Sequence, residues 1–390
     1  MNALTLFRLN DTINVLKNCE RNQLDETETF YCIILVFALL VGGCANGTTP
    51  DSTAAGENEI VTERFPEQNA TVSLITEELE DFLNGYTWGK GTLYLDVEVP
   101  AIKDVKFSWK CEKENSGFTL VYATNADLTD ATKVDTTEPT VVVSDLFVAT
   151  TYYWQVITHT AEGDDHSSIY NFTTAQTPRF ISIPGVGNTR DIGGYVTEDG
   201  LYRVAQGKIY RGERLDDITA EGITKALDVY KIKTELDLRY SAIDKSFVSG
   251  DTSFLDESVT YINLPGMQYY EALSNAEEIK AELLVFAEEE NYPIYIHCSA
   301  GKDRTGTLVF MLGALLGISE EDLCIDYELT HVVKAGYDLY GYNGFTPYLE
   351  GFKKLEGDTL QEKAENYCRS IGITDEQIQT IRSIMLEEIK

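Results

Sequence analysis

Tyr292-Pro293-Ile294-Tyr295-Ile296-His297-Cys298-Ser299-Ala300-Gly301-Lys302-Asp303-Arg304-Thr305-Gly306 is the stretch that decides how this chain folds. The apolar run Tyr292 to Ile296 reads as a short buried strand, and Thr305 through Leu316 reads as a helix. Strand, tight loop and helix in that order place a cradle of backbone N–H groups at a helix N-terminus, where a tetrahedral dianion binds. Ser299, Ala300, Gly301, Lys302, Asp303 and Arg304 are the expected phosphate-binding set. The positive end of the helix also lowers the pKa of a cysteine at its lip, so Cys298 is expected as a thiolate near neutral pH. Arg304 offers a planar fork to two phosphate oxygens, which a lysine could not match. Gly301 permits a backbone conformation that other residues resist. Nucleophile, cradle and fork together imply phosphoryl transfer through a cysteinyl-phosphate. A lone buried cysteine is more often a small hydrophobe. Here the strand, the glycine, the Thr-Gly pair and the apolar helix all agree, and no Gly-x4-Gly-Lys-Ser/Thr loop is present.

At these residues the chain resembles the Cys-x5-Arg protein tyrosine phosphatase superfamily. It looks like the bacterial tyrosine phosphatase family 3, whose loop reads His-Cys-x-Ala-Gly-Lys-Asp-Arg-Thr-Gly. Asn188-Thr189-Arg190-Asp191-Ile192-Gly193-Gly194-Tyr195 is a second feature of that group. The resemblance covers about Phe180 to the C-terminus, a little over half the chain. It implies a metal-independent phosphomonoester hydrolase without a cofactor, acting on phosphotyrosine protein or another phosphomonoester. In most cysteine-based phosphatases the leaving group takes its proton from an aspartate on an upstream loop. The corresponding stretch here, Leu264 to Tyr270, contains no acid. The resemblance therefore implies that Asp303, inside the loop, is the general acid. A second reading, in which Asp303 braces Arg304 as an ion pair, stays open.

Other residues near the loop have supporting roles in this reading. His297 fixes the loop and supports the thiolate, or is simply a satisfied core histidine. Thr305 can donate to the Cys298 sulfur. Arg190 and Asp191 are expected to tie their segment to the phosphate loop. Lys302 either adds charge for substrates with more than one phosphate or is a solvated lysine on the rim. The aromatic run Tyr337 to Phe352 is either a lid or a helix-packing cluster.

Composition is that of a globular protein, with 43% hydrophobic residues, but the formal net charge is −33. That charge divides as −2 over residues 1–44, −15 over 45–177 and −16 over 178–390, so it is a property of two domains and not of a tail. Surfaces this acidic repel nucleic acid, which is excluded as a partner. The cysteines show no Cys-x-x-Cys and the histidines form no ligand pair, which argues against a metal site and a disulfide framework.

Phe30 to Val41 is apolar and continues to Cys44. It is too short for a membrane span of roughly 20 residues and fits a signal-peptide core. Leu40-Val41-Gly42-Gly43-Cys44 resembles a bacterial lipobox, which implies lipidation of Cys44 and an extracytoplasmic location at the cell membrane. The acidic flank Asp25, Glu26 and Glu28 departs from that pattern; an uncleaved N-terminal anchor, or secretion, is the alternative. The expected organisation is a signal peptide over 1–44, a flexible linker over 45–69, a β-sandwich over 70–177 and the phosphatase domain over 178–390.

Short alternating runs between Thr92 and Thr174, the first of them Leu93 to Val99, suggest two packed antiparallel sheets. Leu146 followed by Tyr152, Trp154 and Val156 resembles the tyrosine corner of fibronectin type III domains. A protein or carbohydrate ligand is the expected partner of such a domain. The run Thr76 to Phe82 reads as a short helix without an assigned role. From Phe180 onward strands and helices alternate, which predicts an α/β fold with a central, mostly parallel sheet flanked by helices. Within it, Ala272 to Glu290 reads as one long helix and Asp375 to Ile389 as another. Protein-tyrosine phosphatase is the leading functional reading. Phosphoinositide or inositol-phosphate phosphatase is the second, and a surface adhesion protein with a scaffold phosphatase fold is a third, of another class.

Overall fold

Alternation with a period of two builds the N-terminal half of the described chain. The computed structural model describes residues 60–240, 244, 252–265, 269–336 and 339–389. Strands β1 (Thr62–Phe65), β2 (Ala70–Val72), β3 (Val105–Lys110), β4 (Gly117–Ala123), β5 (Thr132–Thr136), β6 (Thr140–Val143), β7 (Thr151–Thr160), β8 (Gly163–His166) and β9 (Tyr170–Thr174) form two sheets. One has the order β1-β3-β6; the other runs β2-β9-β7-β4-β5, with β8 on β7. Along β7 every second residue from Tyr152 to Thr158 is buried, because successive side chains point to opposite faces. Phe107 and Trp109 of one sheet meet Phe118, Leu120, Trp154 and Phe172 of the other in a single apolar core. The Tyr152 hydroxyl accepts the Phe147 N–H at 2.9 Å, closing the corner ahead of β7.

The second half is an α/β layer structure. Strands β10 (Arg179–Phe180), β11 (Arg190–Asp191), β13 (Ile209–Gly212), β14 (Thr234–Asp237), β15 (Thr260–Asn263) and β16 (Ile294–His297) form a sheet of order β10-β11-β13-β16-β14-β15. The pairs among β13, β16, β14 and β15 are parallel, while β10 and β11 are antiparallel at one edge. β12 (Tyr202–Val204) pairs with β17 (Leu386–Glu388) in a separate ribbon. The helices among the described residues are α1 (Glu77–Leu83), α2 (Ala220–Asp228), α3 (Ala276–Val285), α4 (Asp303–Leu316), α5 (Glu320–Val333), α6 (Leu339–Lys353), α7 (Leu360–Ser370) and α8 (Asp375–Met385). α4 is buried from Thr305 to Leu316, so apolar residues occur all round it rather than on one stripe. β16 feeds α4 through the loop 298–302, which puts that loop at the C-terminal end of a central parallel strand.

Several expectations need correction. The tether expected over 45–69 includes β1, which pairs with β3, and Val61, which is buried in the sandwich core. Leu93 to Val99 is no strand: Lys90–Tyr94 is a 3-10 turn, and the segment lies on α5, with Val99 N–H donating to Val332 O at 2.9 Å. α1 belongs to the same excursion. Ile75, Leu79, Phe82 and Val99 pack with Phe180, Ile325, Leu329 and Val332 in one cluster, so a boundary at 177/178 cuts through a shared core. The helix expected over Ala272–Glu290 is shorter, with α3 ending at Val285. Glu288, Glu289 and Glu290 would have sat at its negative end, where anions are disfavoured. The last helix stops at Met385 because the residues after it pair with β12. The Phe30–Cys44 segment lies outside the described residues, and no described helix is long and apolar enough to cross a membrane.

Candidate active site

The loop after β16 is shaped by where its carbonyls go. Cys298 O faces His297 Nδ1 at 3.1 Å, and Ser299 O accepts Arg214 N–H at 3.4 Å. Ala300 O accepts Asn188 Nδ2 at 3.0 Å, Gly301 O accepts Arg211 Nη2 at 2.6 Å, and Lys302 O accepts Gly306 N–H at 2.7 Å. Four consecutive carbonyls are thus held by donors from around the loop, and the fifth takes the first hydrogen bond of α4. Gly301 has φ +65°, and a Cβ there would collide with the Gly212 carbonyl at the end of β13. Both the backbone angle and the close approach require glycine.

Cys298 is 2% exposed. Burial pushes its thiol up, yet the Arg304 guanidinium and the Thr305 hydroxyl and amide outweigh that, and the net shift is downward. Thr305 Oγ1 is buried without a close hydrogen-bond partner among the described residues, and its hydroxyl is one of the groups that lower the Cys298 pKa. His297 is fully buried, with Nε2 2.9 Å from Glu235 Oε1 and Nδ1 toward the Cys298 carbonyl. Both ring nitrogens face acceptors, an arrangement that favours the charged ring. Burial opposes that charge, but Glu235 and Asp237 overcome it and raise the pKa.

Arg304 has its acid partner in Asp244, which the sequence reading did not single out. Nη1 and Nη2 donate to the two Asp244 oxygens at 2.6 and 2.8 Å, and the Ser299 hydroxyl also donates to that carboxylate. Burial works against the Asp244 charge, but the Arg304 and Ser299 donors hold its carboxyl far below the usual range. Arg304 Nε is buried without a partner among the described residues, so one N–H of the fork is left for an anion. Asp303, at the first residue of α4, instead accepts the Tyr327 hydroxyl at 3.0 Å.

Arg190 and Asp191, adjacent on β11, part company because strand neighbours face opposite ways. Arg190 holds Asn188 Oδ1 at 2.6 Å and Asp326 Oδ1 at 2.7 Å, and through Asn188 it reaches the loop. Asp191 points toward the sandwich side. It pairs with Arg179 at 2.6 Å and accepts Gly193 and Gly207 N–H, so the expectation that it ties to the phosphate loop is not met. Arg211 and Asp326, both missed, complete the support: Asp326 lies between the Arg190 and Arg211 guanidiniums. The only signal for them was charge at buried positions of β13 and α5. Lys302 is 2% exposed, so it is not a solvated rim lysine. Phe345, Tyr348 and Phe352 pack on Phe310 of α4 as core aromatics, not as a lid. Glu235, Asp237 and His297 could offer three atoms to a metal ion. Each is already engaged, however: Glu235 by His297 and Ser253, and Asp237 by Arg239 and Tyr261. The set is an ion-pair network beneath the loop.

Residues 181–387 match the model of the tyrosine phosphatase family. No curated protein matches the chain. Among solved structures, the core catalytic domain of the PP-IP phosphatase Siw14 from S. cerevisiae, in complex with citrate, is 20% identical with a TM-score of 0.30, and the match covers 43% of this chain and 88% of that one. PTPMT1 in complex with PI(5)P is 11% identical with a TM-score of 0.28, covering 44% of this chain and 98% of that one. The FN1–FN3 domains of chicken CNTN1 are 14% identical with a TM-score of 0.17, covering 36% and 50%.

Proposed function

The chain belongs to the tyrosine phosphatase family, and from that premise we propose that it hydrolyses phosphomonoesters, phosphotyrosine in protein first among them, through a phosphocysteine at Cys298. The observation that supports this reading is the set of four loop carbonyls held by donors from around the loop, because peptides turned that way present their N–H groups to an anion on the other side. A phosphoryl group seated there takes the Arg304 Nε–H as well. The Cys298 thiolate attacks phosphorus, the P–O bond to the leaving group breaks, and the departing oxygen takes a proton from Asp303. Water then attacks the thiophosphate, giving a proton to the Asp303 carboxylate, and releases phosphate and the thiolate. Asp244 braces Arg304 in this scheme, which frees Asp303 for the acid's role. Arg190, Arg211, Arg239 and Lys334 around the loop are each engaged by carboxylates, and this favours a substrate with a single phosphoryl group.

The test uses the full chain. Cys298→Ser should abolish turnover while phosphate-site binding survives, and chelator should leave the wild-type rate unchanged. Asp303→Asn should cost about 10²–10⁴-fold on phenyl phosphate and far less on an aryl ester whose leaving group needs no proton. Asp244→Asn should slow both esters alike. Phosphate release from phosphoinositide but not from phosphotyrosine peptide would overturn the substrate assignment. For the remainder of the chain, we propose that the two packed sheets of β1 to β9 form a fibronectin type III-like domain and that Cys44 is the lipidation site. Cys44→Ser should then move the protein out of the membrane fraction.

A further inference from the structure

Between β2 and β3 the chain leaves the sandwich, runs over the phosphatase half and returns. Its apolar residues Leu79, Phe82 and Val99 pack on Ile325, Leu329 and Val332 of α5. Its backbone is fastened at two further points: Gly89 N–H donates to Glu328 at 3.0 and 3.2 Å, and Leu95 O accepts Gly336 N–H at 3.0 Å. A Cβ at Gly91 would already touch Glu328 and His331, so the turn lies directly against α5.

This course brings Trp88 to within 6.2 Å of the Tyr327 ring and 5.9 Å of Phe345, measured between ring centroids. Tyr327 is otherwise enclosed. It stacks on Phe345 at 3.8 Å and 11°, and its edge abuts Gly306, where a Cβ would lie 2.8 Å from Tyr327 Cδ2. The hydroxyl of the same ring donates to Asp303 Oδ1 at 3.0 Å. Phe345 and Gly306 thus limit the ring on two sides, and Trp88 supplies a further wall.

We propose that Trp88, delivered by the segment that the sandwich inserts between β2 and β3, is a positioning residue of the phosphatase: it holds Tyr327 so that Tyr327 orients the Asp303 carboxyl for proton transfer. The inference rests on the phosphatase reading above and on Asp303 as its acid. Trp88 lies outside residues 181–387, so the part of the chain that matches the family does not contain this contact. Without the wall the Tyr327 ring can tilt, and a displacement of the acid by about 1 Å costs on the order of 10²-fold. The loss falls only on reactions that need the proton.

In the full chain, Trp88→Ala should lower kcat for phenyl phosphate by about tenfold or more, while an aryl ester with a good leaving group loses much less. Trp88→Phe should recover most of the loss. Trp88→Leu, which keeps bulk but not a ring plane, should retain the leaving-group dependence even where Trp88→Ala folds poorly. In a Tyr327→Phe background, Trp88→Ala should add little, because both changes act through one hydroxyl. Equal losses on both esters, or additive effects with Tyr327→Phe, would overturn the inference while leaving the phosphatase reading intact. A wild-type chain that releases phosphate from neither ester would sink that reading, and this inference with it.

Discussion

The sandwich core and the floor of the phosphate loop are buried equally deeply but by opposite means. In the sandwich, Phe107, Trp154, Val156 and Phe172 fill the space between two sheets. Beneath the loop, Arg190, Arg211, Arg239, Glu235, Asp237, His297 and Asp326 are all buried. An apolar core tolerates rearrangement and loses stability in proportion to the area or volume removed. A buried ionic network tolerates little, because deleting one member leaves its partners charged and unpaired. The second arrangement is expensive in desolvation, and it is found where Arg211 holds the Gly301 carbonyl and Arg190, through Asn188, holds that of Ala300.

That contrast can be broken experimentally. The largest effect is expected from Asp326→Asn, which leaves the Arg190 and Arg211 guanidiniums facing each other. Stability should fall by about 3–5 kcal/mol in a denaturant melt, with phosphate affinity falling too because Arg211 also holds Gly301. Retained affinity would show that the loop keeps its shape without the network. Trp154→Ala should cost about 3–5 kcal/mol by cavity formation in the sandwich. Below the melting temperature, turnover should stay near wild type; a matching loss of turnover would mean that the two halves are not separable in this sense. The smallest effect is expected from Thr305→Val. Removing a donor to the thiolate raises the thiol pKa, so the rise of Cys298 alkylation rate with pH should move to higher pH. No movement would remove Thr305 from the account of the sulfur.

The cysteine loop was legible because its chemistry is local. Cys298, Gly301 and Arg304 lie within one strand–loop–helix unit, and their spacing alone places nucleophile, bend and fork around one anion. The period-two runs of β3 and β7 were legible for a similar reason, since a strand's neighbours along the chain reveal its buried face. Leu93 to Val99 shows the limit of that argument. The alternation is real, but the segment satisfies its backbone on α5 rather than in a sheet, and tertiary contact overrides a weak local preference.

By itself the sequence determined the α/β unit with its cysteine loop, the sandwich before it and the acidity of both. Only the tertiary structure decided which acid serves which base. Asp303 and Arg304 are adjacent in the chain, yet the fold gives Arg304 to Asp244 and Asp303 to Tyr327. It likewise brings Trp88 to the Tyr327 ring across more than two hundred residues of chain. Ion pairs and aromatic walls are set by directions in space between distant elements. A linear pattern records only which face of its own strand or helix a side chain occupies.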